Sequence, residues 1–380
     1  SGLPMSAPHK PQPPWGVAGS PNVLERIALD RIRELAEEHF SVGGVTVEFD
    51  VPVLEIRSVE PVKEIFVRLV KRFKEHGLLP LLRRRQGRLV LIVLPMPPPR
   101  RTRRITPIAL FAVTLVTVFL TGYFGSGLWV SLFGGSVFLQ AGLFTVALIA
   151  IVGLHELGHK TAALRSGIQA TPPYFIPGPP LPFGFGTLGA VIMQKEPPVN
   201  RDQLFDLGFS GPVTGFAVTV VVAIVAILTA QVVDESVIDE VTRGGVIFLN
   251  PPVIWGLLVE LLKPLPVGMA PMTPPIGIAA WVGFVITFLN LLPVWQLDGG
   301  HVTRALFGEK GLKIASVIGL LVAFATGFWF FGLLILFFMM NAPRVIGTLD
   351  NVSPPTPMRR VIGSLAYVIL ALSAVLLWPM

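Results

Sequence analysis

The sequence predicts a mainly α-helical, polytopic membrane bundle of about six spans, with a re-entrant β-strand loop, preceded by a small soluble α+β domain. Three observations predict it. Hydrophobic residues make up 52% of the 380 positions and charged residues only 14%, with a mean hydropathy of +0.70. A soluble domain carries about 25% charged residues, so the chain reads as an integral protein of the cell membrane. Charge is concentrated in the first hundred or so residues, and long apolar runs follow. Two of those runs carry ionisable groups, His155-Glu156-Leu157-Gly158-His159 and Leu297-Asp298-Gly299-Gly300-His301. At bilayer depth each charged residue costs on the order of 2.5–3.5 kcal/mol.

The net charge of +7 does not point to nucleic acid. Its basic clusters, Arg83-Arg84-Arg85 and Arg100-Arg101-Arg103-Arg104, stand beside the first span, where a cytoplasmic flank or an anionic lipid surface would be met. There is no cysteine, so any metal must be held by histidine and carboxylate. The first residues show no cleavable leader, and Ser1–Pro4 ahead of Met5 are compatible with a cloning remnant.

Residues 1–20, rich in Pro, Gly and Ser, are expected to be disordered. Residues 21–95 form the soluble, cytoplasmic α+β domain. Ser20-Pro21 reads as a helix N-cap with Pro at the first position, and Leu24, Ile27, Ala28, Ile32 and Leu35 make one apolar face. Val45, Val47, Phe49 and Val51 alternate with polar residues as in a half-buried strand, with a turn or bulge expected near Pro52-Val53-Leu54 and a second strand ending near Arg57. Pro61 opens a second helix on which Val62, Ile65, Phe66, Leu69, Val70 and Phe73 keep the 3.6-residue period. Gln86-Gly87 separates two further strands, Leu81–Arg85 and Leu89–Leu94. No catalytic constellation appears here: His39 and His76 read as solvated helix ends. Residues 96–104 are a basic linker.

Residues 105–380 form the membrane domain. Ile105–Tyr123 is the first span, and its arginine-rich flank places the N-terminus in the cytoplasm. The run from Val137 to Ala163 then travels inward and carries H-E-x-x-H. Histidines one turn apart share a helix face and can hold one Zn²⁺, with Glu156 beside the metal as general base. The prolines between Pro172 and Pro182 forbid a helix, and Gly186–Met193 reads as a strand. Either this is a re-entrant loop with an open edge beside the metal, or an ordinary cytoplasmic loop. Asp206–Val232 is a third span, with Gly208, Gly211 and Gly215 suited to close backbone packing. Val246–Leu262 reads as an interfacial helix.

Ile276–Leu297 is the next full span. Pro293 weakens it, and Gly299-Gly300 are expected to break it after Asp298. This span also runs inward, so Asp298 reaches the depth of the two histidines and is the best third ligand, leaving one position for water. Asp298 as a plain helix cap is the alternative, and it leaves the zinc with two ligands. His301 reads as a support for the site rather than a ligand. Lys313–Met340 is expected to cross once, although that leaves Arg344, Arg359 and Arg360 outside, and Val361–Trp378 is the last span.

The H-E-x-x-H span followed by Asn290-Leu291-Leu292-Pro293 and Leu297-Asp298-Gly299 resembles the site-two protease family of intramembrane zinc metalloproteases. The resemblance covers about Thr102 to Leu306 and holds two independent motifs in the family's order. It implies His155, His159 and Asp298 as ligands of one Zn²⁺ and Glu156 as catalytic base. Asn290 would be a polar group near the tetrahedral intermediate. Gly186, Thr187, Leu188, Gly189 and Ala190 would belong to the substrate-pairing strand. Implied partners are single-span membrane proteins within the lipid bilayer. The chain departs from many members in lacking a recognisable PDZ or CBS module, so a regulator acting on the N-terminal domain is not specified by the family. A different class, a divalent-metal transporter or channel using the same His and Asp groups, needs polar groups at several depths. The other runs lack them, and transit gives Glu156 no role.

Overall fold

The computed structural model describes residues 29–57, 61–96, 105–243, 250–341 and 347–377. The readings made for 1–20, for the Ser20-Pro21 cap and for nearly all of the basic linker lie outside these residues. The chain divides into two compact units. The first is the N-terminal part joined by 197–201 and the described residues of 340–354, and the second is the remainder.

In the first unit, helix α1 (Leu29–Glu37) and helix α2 (Val62–Glu75) accompany four strands: β1 (Ser41–Glu48), β2 (Val51–Arg57), β3 (Leu78–Arg85) and β4 (Arg88–Pro95). The sheet order is β1-β2-β4-β3, antiparallel throughout. The apolar faces of both helices, Ile32 and Leu35 on one and Phe66, Leu69 and Phe73 on the other, are buried with Leu54, Leu81 and Leu91 of the sheet. Each large side chain so buried contributes about 1.5–3 kcal/mol. The β1–β2 turn falls at Phe49-Asp50, both in the left-handed region (φ 52° and 60°), earlier than the expected Pro52-Val53-Leu54. Pro52 is accommodated inside β2 opposite Val47.

Two segments distant in sequence complete this unit. Val199 and Leu349 join its core. Leu82 forms a parallel bridge with Asp350, its N–H donating to the Leu349 carbonyl at 2.9 Å. The Arg83 guanidinium donates to the carbonyls of Leu349 and Thr348 at 2.7 and 3.0 Å. Leu349 and Asp350 donate in turn to the carbonyls of Pro198 and Val199. Sequence order alone hides this closure, because it pairs backbone with backbone across some 270 residues.

The second unit is mainly helical. Its elements are α3 (Ile105–Gly125), α4 (Gly127–Phe133), α5 (Val137–Arg165), the strands β5 (Tyr174–Pro177) and β6 (Thr187–Val191), and α6 (Arg201–Leu228). The hairpin β7 (Gln231–Asp234) with β8 (Met269–Met272) follows, enclosing α7 (Glu235–Arg243) and α8 (Val253–Leu262). Helices α9 (Ile276–Leu291), α10 (Asp298–Ala325), α11 (Trp329–Asn341) and α12 (Pro357–Leu372) complete it, α10 being kinked at Gly308, which takes φ 71°. Among the described residues, three helical stretches are long and apolar enough to cross a membrane: Ile105–Phe133, Val137–Arg165 and Arg201–Leu228.

One sequence expectation is corrected here. Gly299-Gly300 do not end a helix: α9 stops at Leu291, residues 292–297 form a loop, and the glycines lie in the first turn of α10. A Cβ on either would overlap backbone carbonyls of 291–295, so bare backbone is what lets this turn fold back on its own loop. The stretch Lys313–Met340 is divided between two helices. It breaks at Thr326-Gly327-Phe328, where Gly327 takes φ 91°. Phe328 donates to the Ala323 carbonyl and Gly327 to that of Phe324, a glycine C-cap that turns the chain away from the helix axis. Trp295 touches both arms, through Ser316 on α10 and Phe338 on α11, so the chain doubles back.

Candidate metal centre

Helix α5 places His155, Glu156 and His159 in buried positions. A 29-residue apolar helix leaves its histidines no water to hydrogen-bond, so neighbouring backbone must hold them. Helix α6 does so. His159 Nδ1 donates to the Leu207 carbonyl at 2.7 Å, which leaves the Nε2 lone pair free to face a metal. Gly211 and Gly215 line the same face: a Cβ on Gly211 would overlap His159 Nε2, and one on Gly215 would lie 2.8 Å from His155 Nδ1. A Cβ on the third glycine, Gly208, would lie 2.7 Å from His301 Cβ and 2.8 Å from the Asp298 carbonyl. The glycine run predicted close packing, but against imidazoles rather than only another backbone.

Asp298 enters from the first turn of α10. Its Oδ2 lies 3.3 Å from His155 Nε2 and 3.2 Å from His159 Nε2, and the two Nε2 atoms are 3.2 Å apart. Ligand atoms held about 2.0–2.1 Å from zinc at tetrahedral angles stand about 3.3–3.4 Å from one another. The triangle therefore fits three corners of a tetrahedral ion and leaves the fourth position free. Two neutral imidazoles with one carboxylate form a donor set suited to Zn²⁺. Among the described residues, no other group of three such side chains converges. His301 is one helical turn beyond Asp298 and stays outside the converging group.

The hairpin β5–β6 stands beside this centre. Its pairing is antiparallel, Tyr174 with Val191 and Phe175 with Ala190, and is interrupted between Phe175 and Pro177. Thr117 of α3 anchors it by donating to the Gly186 carbonyl at 2.6 Å. Just past β6, the backbone of Ile192 reaches the Glu156 carboxylate. Leu188 remains 72% exposed, and a Cβ on Gly189 would meet nothing within 4 Å, so this side of the strand is open. Asn290 sits in the last turn of α9, half-buried. Sequence reasoning missed Leu207 and Ile192, since both act through backbone atoms that no side-chain pattern reveals.

Groups able to hold a metal ion thus stand on a helix long and apolar enough to cross a membrane, with a carboxylate beside them and an exposed strand nearby. The sequence profile of peptidase family M50 matches residues 143–334, which include every residue of the triangle. The chain belongs to peptidase family M50, the site-two protease family. It is similar to the probable zinc metalloprotease EGY2, chloroplastic, of Arabidopsis thaliana, at 30% identity over 227 residues, covering 56% of this chain and 38% of that one. The EGY2 protein of Oryza sativa subsp. indica is 30% identical over 205 residues, 51% of this chain and 35% of its own. The probable zinc metalloprotease EGY1, chloroplastic, of Arabidopsis thaliana is 30% identical over 182 residues, covering 46% and 31%. The chain thus spans about a third of the length of these relatives. No solved structure matches it.

Proposed function

We propose that the protein is an intramembrane endopeptidase that hydrolyses peptide bonds within transmembrane segments of single-span membrane proteins, as a step of regulated intramembrane proteolysis. The observation that carries this reading is that His155 and His159 stand on a 29-residue apolar helix, with Asp298 converging on them from α10. In this reading His155, His159 and Asp298 hold the zinc. Bound zinc supplies Lewis acidity to the scissile carbonyl and to the attacking water. Glu156 accepts the proton of that water and delivers it to the leaving nitrogen. Asn290 offers a hydrogen bond to the developing oxyanion. The α+β domain and the metal centre face the cytoplasm, as the basic flank before α3 indicates, and a regulator would act on that domain.

A transmembrane helix hides its carbonyls in its own hydrogen bonds and must open before it can be cut. Each freed backbone group then needs a new partner at a cost of several kcal/mol if it finds none. The exposed side of β6 supplies such partners by strand addition. The test uses purified protein, a Glu156→Gln control and a panel of single-span substrates, with the cuts located by mass spectrometry. Wild-type protein should cut inside the apolar segment. Glu156→Gln should retain zinc and lose cleavage by at least about 100-fold. Cleavage by the variant at the wild-type rate would exclude this mechanism.

A further inference from the structure

The loop 292–297 delivers Asp298 to the metal centre, and groups remote from the chemistry hold its backbone. Trp295 has φ 43° and is the only non-glycine residue with positive φ among the described residues of the membrane unit. A bulky side chain stays in that region only where its surroundings over-determine it. Here the surroundings come from the α10–α11 hairpin. Buried Ser316 accepts the Trp295 N–H on its hydroxyl at 3.0 Å. One turn on, Gly319 seats the loop: a Cβ there would overlap Val294 and lie 3.1 Å from Pro293 Cδ. Phe338 stacks on the indole, with ring centroids 6.5 Å apart and planes within 12°. The loop is also tied to itself, Leu297 donating to the Val294 carbonyl at 3.0 Å. The Trp295 carbonyl in turn packs under Gly300, two residues beyond Asp298.

From this we infer that Ser316, acting through Trp295, is a positioning residue for Asp298. The hairpin is a clamp that sets the third zinc ligand, and a hydroxyl that touches neither metal nor substrate tunes zinc affinity. The inference rests on the assignment of Asp298 as a ligand. Groups that orient metal ligands typically account for about 10–100-fold in affinity, and loss of the Trp295 partner should fall in that range.

The experiment is a double-mutant cycle on full-length protein in detergent, with zinc affinity read by competition against a chromogenic chelator. Ser316→Ala should weaken zinc binding by at least about tenfold, and Ser316→Thr, which keeps the hydroxyl, should restore it. In an Asp298→Ala background, Ser316→Ala should have no further effect. Ser364→Ala, which removes an exposed hydroxyl bonded to the Val361 carbonyl, should leave affinity at the wild-type value. If Ser316→Ala folds poorly, Phe338→Leu removes the stack from the outer side and should give a loss of the same sign that also vanishes with Asp298→Ala. Wild-type affinity in both clamp variants, or an equal loss with and without Asp298, would overturn the inference. An Asp298→Ala protein with unchanged affinity would instead overturn the ligand assignment itself.

Discussion

At the scale of single residues, the site is a contest between cost and compensation. His155, His159 and Asp298 are legible in the sequence because an apolar helix does not carry such groups without a partner. What seats them is silent in sequence: the Leu207 carbonyl holds His159, and Gly211 and Gly215 make room for both rings. The strongest residue-scale consequence concerns Gly211. A methyl group there would occupy the place of His159 Nε2, so the ring must leave the triangle or α6 must back away from α5. Gly211→Ala should lower zinc affinity by at least about tenfold. Gly142→Ala, at a position of the same α5 where a Cβ would meet nothing within 4 Å, should bind zinc as the wild type does. Metal content after dialysis against a mild chelator checks both.

At the scale of elements, the edge strand and the helix termini carry separate consequences. Proline at Leu188 or Ala190 removes one backbone donor from β6. If that strand receives the opened substrate, each variant should cut at least about tenfold more slowly while binding zinc normally; unchanged cleavage by both would make the hairpin a connector. The Arg359 guanidinium at the start of α12 pairs with Asp206 at the start of α6 through two hydrogen bonds, of 2.8 and 2.6 Å. It also lies 3.4 Å from Asp202, whose carboxylate accepts the Thr356 N–H. Charge-assisted pairs of this geometry contribute about 1–2 kcal/mol when partly exposed. Arg359→Ala should therefore lower the unfolding temperature in detergent by a few degrees, with Arg359→Lys recovering part of the loss. Helix existence was legible from apolar runs, but helix ends were not. The α9–α10 break depends on carbonyl packing against Gly299 and Gly300, and the α10–α11 break on a C-cap at Gly327. Both glycines and small residues at such places read equally well as helix interior in an apolar run.

At the scale of the whole molecule, the breaks before Asp298 and at Gly327 bear on sidedness. A single crossing over 313–340 would put the start of α12, with Arg359 and Arg360, on the outer side, against the positive-inside trend. The Arg359–Asp206 pair joins the starts of α12 and α6, and a doubling back at Thr326–Phe328 would return the chain to that level. The arm α11 has 13 residues and is about 20 Å long, short of a full hydrocarbon core of about 30 Å. Its return is therefore a matter of where its end emerges, which labelling can read. The chain has no cysteine, so single-cysteine variants are read without background. In the proposed orientation, Val267, exposed in the segment between α8 and β8, lies outside, and Asn341 at the end of α11 lies on the cytoplasmic side. In right-side-out vesicles a membrane-impermeant maleimide should label Val267→Cys at once and Asn341→Cys only after the membrane is opened. Immediate labelling of both would mean that α10 and α11 together cross once. Labelling of Asn341→Cys alone would keep the hairpin and invert the orientation.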